Sequence, residues 1–283
     1  MRTRMSSTRH ILDYDPLRML LADVHLEVIP LREVREQVEV IPVGSVVTVT
    51  ASPSRGLGHT VDLAIDLQAM GYQAAPHLAA RMVSDRTHLE KLVAQLDEAG
   101  VRHVFVVGGD VDPKGDFQDA LGLLEAMAEL GHPFTEVGIA GYPEGHPLIS
   151  AEHLRVSLLA KVPHATYIVT QMCFDPHATV EWARAIHSEG VDLPVRIGVP
   201  GAVDVAHLGK VAGRIGVGDS VRFLTKNRGL VRVLRPGGYR PDRLIRRLAE
   251  LSLDVRVEGL HVFTFNQVAS TVAWHRRALA NLG

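Results

Sequence analysis

The sequence has 283 residues, 46% of them hydrophobic and 22% charged, so it can bury the core of one large domain or two small ones. A formal net charge of −2 gives no electrostatic basis for binding nucleic acid or an anionic membrane. The single cysteine, Cys173, excludes an intrachain disulfide framework and a cysteine-rich metal site, and it suits a reducing cytoplasm. No apolar run predicts a membrane span or a secretory signal, and we expect residues 1–12 to form a disordered arm of a cytoplasmic protein.

Short runs rich in valine, isoleucine and alanine alternate along the chain with helical patterns. We predict strands at 24–29, 45–50, 72–77, 103–108, 136–141, 166–171, 194–199 and 260–265. Most of these runs are almost continuously apolar, as expected of parallel strands that are buried on both faces. Helical spacing predicts amphipathic helices at 85–100 and 116–131, the second beginning at an Asp116 cap and ending at Gly131.

About eight β/α repeats predict an α/β fold in which residues 13–283 form a single (β/α)8 TIM barrel. A doubly wound sheet fits less well, because it usually needs fewer strands and the sequence contains no G-x-G-x-x-G fingerprint. Between strands 7 and 8 we predict extra helices near 204–215, 219–232 and 241–253, packed on the barrel.

Polar side chains stand at the predicted carboxyl ends of the strands, where barrel enzymes carry their active sites. Glu27 lies in an apolar run, so partial desolvation would suit its carboxyl to general acid catalysis, although a glutamate paired with an arginine gives the same pattern. Asp110 could accept hydrogen bonds from a ligand or cap the next helix. Gln171 could pair with a heterocycle or be a buried structural amide. Further polar residues at these ends are Thr50, His77, Tyr142, His146 and Asn266.

Two other features of the sequence are candidate binding sites. His77 and His146 have no partner carboxylate or histidine at ligand spacing, so we predict no metal site. The loop "SPSRGLGHT" at 52–60 follows the second strand and opens a helix. Its backbone N–H groups and Arg55 could cradle a phosphate, or the loop could simply be solvent-exposed.

Five stretches together resemble the methylenetetrahydrofolate reductase family: "APHL" (75–78), "GD" (109–110), "AGYPEGHP" (140–147), "TQMCFD" (170–175) and "HVFTFN" (261–266). The resemblance extends from about residue 24 to 280 and includes "LEVIP", whose Glu27 matches the family's catalytic glutamate. It implies a barrel that reduces 5,10-methylenetetrahydrofolate to 5-methyltetrahydrofolate, with Glu27 as the general acid. Asp110 and Gln171 would hold the pterin, with Phe174 and Thr50 on the substrate side.

The chain departs from the family where the flavin normally binds. Gly108 replaces the arginine of the usual "RGD" triplet, and the helix after "YPEGHP" has uncharged Leu154, Ser157 and Ala160 where Asp, Asn and Arg are expected. A diphosphate would lose several charge-assisted contacts there. The chain therefore looks most like the flavin-independent branch described in mycobacteria.

That likeness implies that FAD is absent and that NADH donates its hydride directly to the folate. The residues on the cofactor side would be His77, Tyr142, His146, Lys161 and Asn266. The sequence does not distinguish NADH from NADPH.

Other functions stay open. An FAD-dependent reductase with a reworked flavin site and a folate-binding barrel without catalysis both fit the motifs. An aldolase-like barrel is disfavoured, because no lysine stands at a predicted strand end for Schiff-base chemistry. The expected partner is a small-molecule folate, and homo-oligomerisation is left open.

Overall fold

The computed structural model describes residues 15–112, 115–204, 240–252 and 255–282. Parallel strands close into a barrel in which each strand pairs with its neighbours in sequence and β8 pairs with β1. The strands are β1 (Val24–Val28), β2 (Val46–Val49), β3 (Gln73–Ala79), β4 (His103–Val107), β5 (Glu136–Gly141), β6 (Tyr167–Met172), β7 (Val195–Pro200) and β8 (Val257–Phe263). The predicted (β/α)8 barrel is confirmed, and every predicted strand overlaps an observed one.

Helices surround the barrel. Those described are α1 (Pro16–Ala22), α2 (Val34–Gln37), α3 (Leu57–Ala69), α4 (Arg86–Glu98), α5 (Ala120–Leu130), α6 (Ala151–Lys161), α7 (Pro176–Ser188), α8 (Asp242–Leu251) and α9 (Val268–Ala280). The predicted cap of α5 was wrong, because Asp119 and not Asp116 accepts the N–H of Gly122 at the helix start. Its predicted end is confirmed, since Gly131 takes the left-handed conformation with φ 66°.

Part of the region between β7 and β8 lies outside the described residues. Of the three helices predicted there, only the last is described, as α8; the predicted helices at 204–215 and 219–232 fall almost wholly in 205–239. The predicted disordered arm at 1–12 also lies outside the described residues. Among the described helices, none combines the length and apolar character needed to cross a membrane.

Side chains alternate along each strand between the barrel interior and the surrounding helices, and this alternation separates two kinds of core. Leu26 and Val28 of β1, for example, join the large apolar cluster that lies between strands and helices. Their neighbours His25 and Glu27 face inwards, since His25 contacts Tyr167 of β6 and Glu27 contacts His77 of β3 across the barrel. The interior is therefore partly polar.

The lower interior of the barrel, near the amino ends of the strands, is filled by a polar layer. The Arg196 guanidinium lies 2.7 Å from an Asp23 carboxylate oxygen and 6.0 Å from the centre of the Tyr167 ring. Burial lowers the pKa of His25 well below its usual value, and the nearby Arg196 charge lowers it further. The upper interior, at the carboxyl ends, is the place where a substrate can enter.

One irregularity in the barrel bears on the site. Between Val169 and Met172, β6 has one residue more than its partner β7, where the paired positions are Arg196 and Gly198. A β-bulge of this kind re-aims the side chains around it. Gly198 makes the bulge sterically feasible, because a Cβ there would lie 2.6 Å from the carbonyl oxygen of Gln171 and closer still to that of Thr170.

Candidate active site

The mouth of the barrel holds a carboxyl group between two imidazoles. The Glu27 Oε2 atom lies 3.0 Å from Nε2 of His261 and 3.6 Å from Nε2 of His77, and the Glu27 side chain is only 12% exposed. The first distance is a hydrogen bond and the second is too long to be one. Strands β1, β3 and β8 supply the three side chains, so the cluster depends on barrel closure.

Aromatic rings surround the two imidazoles. The Phe105 ring of β4 lies 4.7 Å from that of His77 and 6.3 Å from that of His261, measured between centres. Phe263 packs edge-on against His261 at 5.0 Å. Water is therefore largely excluded from this side of the carboxyl group, which strengthens its remaining polar contacts.

The protonation state of His77 follows from its burial. Desolvation lowers the pKa of His77 from its ordinary value of 6.5 to about 4; the Glu27 carboxylate opposes this change and His261 adds to it. His77 is thus neutral at pH 7, and its contact with Glu27 joins a carboxyl group to an uncharged ring.

His261 was missed as a site residue by the sequence analysis, although the motif containing it was recognised. A signal was present, because His261 is a polar residue inside an apolar strand, as Glu27 is. Alternation in β8 also puts His261 on the same face as Phe263. What the sequence did not contain was the register, in which His261 pairs with His25 and Phe263 with Glu27.

Gln171 stands in the β6 bulge. Both its amide nitrogen and its amide oxygen are buried, and neither has a hydrogen-bond partner among the described residues. A buried amide without partners is uncommon in a folded protein, because each unpaired group keeps its desolvation cost. The amide therefore has one acceptor and two donors free for a bound molecule.

The "YPEGHP" stretch forms the loop after β5 and brings two aromatic rings to the site. The Tyr142 and His146 rings meet edge-on with centres 5.6 Å apart. Burial raises the pKa of Tyr142 and lowers that of His146; the Asp110 carboxylate adds to the first change and opposes the second. Asp110, Tyr142 and His146 are thus brought together at one side of the mouth.

Glu144 of the same loop has a structural role that the sequence analysis missed. Its Oε1 atom accepts hydrogen bonds from the backbone N–H groups of Phe174, at 2.5 Å, and Asp175, at 2.8 Å. This carboxylate ties the loop after β5 to the loop after β6. The half-buried Phe174 is positioned through its own backbone by this contact.

The remaining predicted site residues have other surroundings. The Asn266 amide binds the backbone of Ile29 through both of its polar atoms, at 2.8 and 2.9 Å, so it joins β8 to the loop after β1. Lys161 ends α6 in the helix layer, where burial lowers the pKa of its ammonium and Asp119 opposes that change. Thr50 is half-buried directly after β2, and its carbonyl accepts the Thr60 hydroxyl at 2.9 Å.

Metal binding receives no support from the described part of the chain. No group of three or more histidine, cysteine, aspartate or glutamate residues within it is arranged to hold a metal ion. The lone Cys173 is fully buried and bonded to Thr170, and burial raises the pKa of its thiol to about 12. A thiol of that kind is inert at neutral pH.

The closed parallel barrel, with helices between its strands, places the chain in the class of (β/α)8-barrel proteins. The sequence profile described as methylenetetrahydrofolate reductase matches residues 31–215, which is more than half of the chain. The chain belongs to the methylenetetrahydrofolate reductase family.

Relatives with assigned names agree with this family. The 5,10-methylenetetrahydrofolate reductase of Pectobacterium carotovorum subsp. carotovorum is 29% identical over 141 residues, covering 48% of this chain and 45% of that protein. Methylenetetrahydrofolate reductase 2 of Schizosaccharomyces pombe is 28% identical over 152 residues, covering 46% of this chain and 24% of that protein. The matched region therefore spans less than half the length of either relative.

Solved structures show the same fold at low sequence identity. An uncharacterized protein from Clostridium thermocellum that binds two copies of 5-methyl-5,6,7,8-tetrahydrofolic acid is 10% identical, with a TM-score of 0.62 over 92% of this chain and 95% of that one. Oxaloacetate acetylhydrolase is 12% identical, with a TM-score of 0.52 over 94% and 84% of the two chains. At these identities the likeness shows the barrel fold alone.

Proposed function

We propose that this protein reduces 5,10-methylenetetrahydrofolate to 5-methyltetrahydrofolate, with NADH as the hydride donor and without a bound flavin. The observation that carries the proposal is the largely shielded Glu27 carboxyl, hydrogen-bonded to His261 at the barrel mouth. The reaction needs a proton donor at a poorly basic amine, and a shielded carboxyl group suits that task. Family membership supports folate as the substrate class.

In this proposal Gln171 and Asp110 hold the pterin. The pterin edge has adjacent hydrogen-bond donors and acceptors, and the unpartnered Gln171 amide complements it with both of its polar atoms. The exposed Asp110 carboxylate accepts from pterin N–H groups. Phe174 and Thr50 line the substrate side. Binding the pterin removes the cost of leaving the Gln171 amide unpaired.

Glu27 transfers its proton to N10 of the folate. The bond between N10 and the bridging methylene carbon then breaks and leaves an iminium at N5. NADH, held by His77, Tyr142 and His146, would supply the hydride that turns this methylene carbon into the methyl group of the product. Glu27 is left as a carboxylate and regains a proton from solvent. His261 keeps the reacting oxygen in place through its Nε2 contact.

A flavin does not fit the residues that are present. Leu154 and Ser157 are half-buried and Ala160 is exposed on α6, and none of them offers a charge to a flavin diphosphate. Gly108 likewise offers none after β4. We therefore route no step through flavin. We assign the dinucleotide side to His77, Tyr142 and His146, whose rings provide surfaces for stacking a heterocycle. Lys161 and Asn266 stay predictions for that side.

The test is steady-state kinetics of the purified protein with methylenetetrahydrofolate and NADH, preceded by an absorption spectrum. We expect a colourless protein that oxidises NADH with sequential kinetics, since both substrates must be bound together for direct transfer. A stoichiometric yellow chromophore with ping-pong kinetics would instead establish the FAD-dependent reaction. Folate binding without any NADH oxidation would establish a non-catalytic folate-binding barrel.

A further inference from the structure

A small cleft lies at the rim of the barrel mouth, separate from the cluster described above. It is formed by the loop after β1, helix α2, the loop before α3 and the first two turns of α3, and its volume is about 80 Å³. Its charged and titratable lining consists of Arg32, Arg35, Arg55, His59 and Asp62. Nothing in the proposed reaction uses these residues.

The guanidinium groups of two arginines in this rim cleft have no partner among the described residues. Arg35 is held by Asp66, with its Nε atom 2.6 Å from the carboxylate oxygen. The side chains of Arg32 and Arg55, by contrast, form no hydrogen bond or ion pair with the described part of the chain. Asp62 is the only carboxylate among the described lining residues, so the cleft has an excess of positive charge. Guanidinium groups bind carboxylates and phosphates through paired N–H donors.

The rim cleft is large enough for a small anion. Its volume of about 80 Å³ exceeds the roughly 10–15 Å³ that one water molecule needs on the same measure, so a carboxylate or a phosphate group can enter. The positive lining selects an anion among the groups that fit.

The position of the rim cleft relates it to the substrates. The loop carrying Arg32 begins directly after β1, the strand that holds Glu27, and Arg55 follows β2, where Thr48 pairs with Glu27. Both loops lie at the carboxyl-terminal end of the barrel, the end at which the substrate reacts. A molecule whose reacting part lies at Glu27 can thus extend an anionic part over this rim.

We infer that the rim cleft binds an anionic extension of one of the substrates, a carboxylate or phosphate group, through Arg32 and Arg55. The naming of the substrates rests on the proposed function. Folate carries glutamyl carboxylates at the end away from the pterin, and the dinucleotide carries a diphosphate between its two nucleosides. The chemistry of the contact is the same for both, and binding measurements separate them.

The experiment compares the full-length wild type with Arg32→Gln, Arg55→Gln, the double variant and Arg86→Gln. Arg86 lies on α4, is similarly exposed and pairs with Glu129, so it controls for the loss of one positive charge elsewhere. Dissociation constants are measured by calorimetry for monoglutamyl and triglutamyl 5-methyltetrahydrofolate and for NADH. Inorganic pyrophosphate, followed through its effect on Tm, serves as a probe that does not depend on the proposed function.

We expect the double variant to bind one substrate about 10-fold more weakly, in line with the loss of two exposed charge-assisted contacts, and Arg86→Gln to bind as the wild type does. Weaker binding of the folates assigns the cleft to glutamyl carboxylates, and weaker binding of NADH assigns it to the diphosphate. Pyrophosphate should raise the Tm of the wild type and not that of the double variant. If neither folate nor NADH binds the wild type but this pyrophosphate difference remains, the proposed function fails and the anion site stands. Unchanged constants and an unchanged pyrophosphate effect in the double variant, or equal losses in Arg86→Gln, would overturn the inference.

Discussion

The Nε2 atom of His261 and the Oε2 atom of Glu27 lie 3.0 Å apart, although 234 positions separate the two residues in the chain. The contact joins the last strand of the barrel to the first, so it exists only when the barrel is closed. Through this contact a buried imidazole forms a hydrogen bond with the carboxyl group that we propose as the proton donor.

Replacing Glu27 with Gln tests that proposal. The amide keeps the shape of the side chain but has no acidic proton, so we expect turnover to fall by about 10²- to 10⁴-fold while folate binding is retained. Single-turnover NADH oxidation and an equilibrium folate titration measure the two quantities. Near-normal turnover would show that another group donates the proton.

Replacing His261 with Gln tests the positioning of that carboxyl group. We expect kcat to fall by about 10-fold or more with little change in the KM for folate, because the variant loosens the acid and not the pterin contacts. A fall in Tm with an unchanged kcat would reduce His261 to a packing residue.

The buried His77 should make stability depend on pH. Its pKa is about 4 in the folded protein and 6.5 when exposed, so between these values the unfolded chain binds a proton that the folded chain does not. The contribution of His77 to the free energy of unfolding is therefore fully present above pH 6.5. It falls as the pH drops towards 4, by on the order of 3 kcal/mol.

Urea unfolding at a series of pH values measures this dependence. His77→Gln should flatten the curve between pH 4 and 6.5. The buried His25 and the half-buried His103, whose pKa values are also lowered by desolvation, should keep part of the slope in the His77 variant. Equal slopes in wild type and His77→Gln would contradict the assignment.

Gly198 should not tolerate substitution by a residue with a side chain. A methyl group at this position would overlap the Thr170 and Gln171 carbonyl oxygens, which are backbone atoms that cannot rotate away. We expect Gly198→Ala to lower the free energy of unfolding by about 1–3 kcal/mol and to weaken folate binding by moving Gln171. Gly58→Ala is the control, because a Cβ there meets nothing within 4 Å in helix α3 and alanine favours a helix. Its stability should be equal or higher.

Glu144 should matter through the loop that it holds. Glu144→Ala leaves the N–H groups of Phe174 and Asp175 without their acceptor, so we expect a loss of about 1–3 kcal/mol in stability and weaker folate binding. Glu144→Gln keeps an acceptor oxygen and should restore much of both. Urea unfolding and folate titration are measured for both variants. Identical stability and affinity of the two would argue against the hydrogen bonds as the cause.

The architecture and most of the motif positions could be predicted from the order of the amino acids alone. Continuous apolar runs such as 103–108 mark parallel strands because such strands are buried on both faces, and their alternation with helices leaves a barrel as the consistent arrangement. Glu27 could also be predicted as a site residue, because burying an ionisable group in the apolar run of β1 costs free energy unless the group has a partner or a role.

Which polar residues come into contact could not be predicted, because the folded barrel sets those contacts. His261 reaches Glu27 through the closure of β8 on β1, and Glu144 reaches the backbone of the next loop, while Asn266 turns to Ile29. Each of these contacts depends on strand register or loop path, which are set by the packing of the whole barrel and not by local sequence. The spacing of residues along the chain holds no information about such partners, because contacts across a barrel join positions that are distant in sequence.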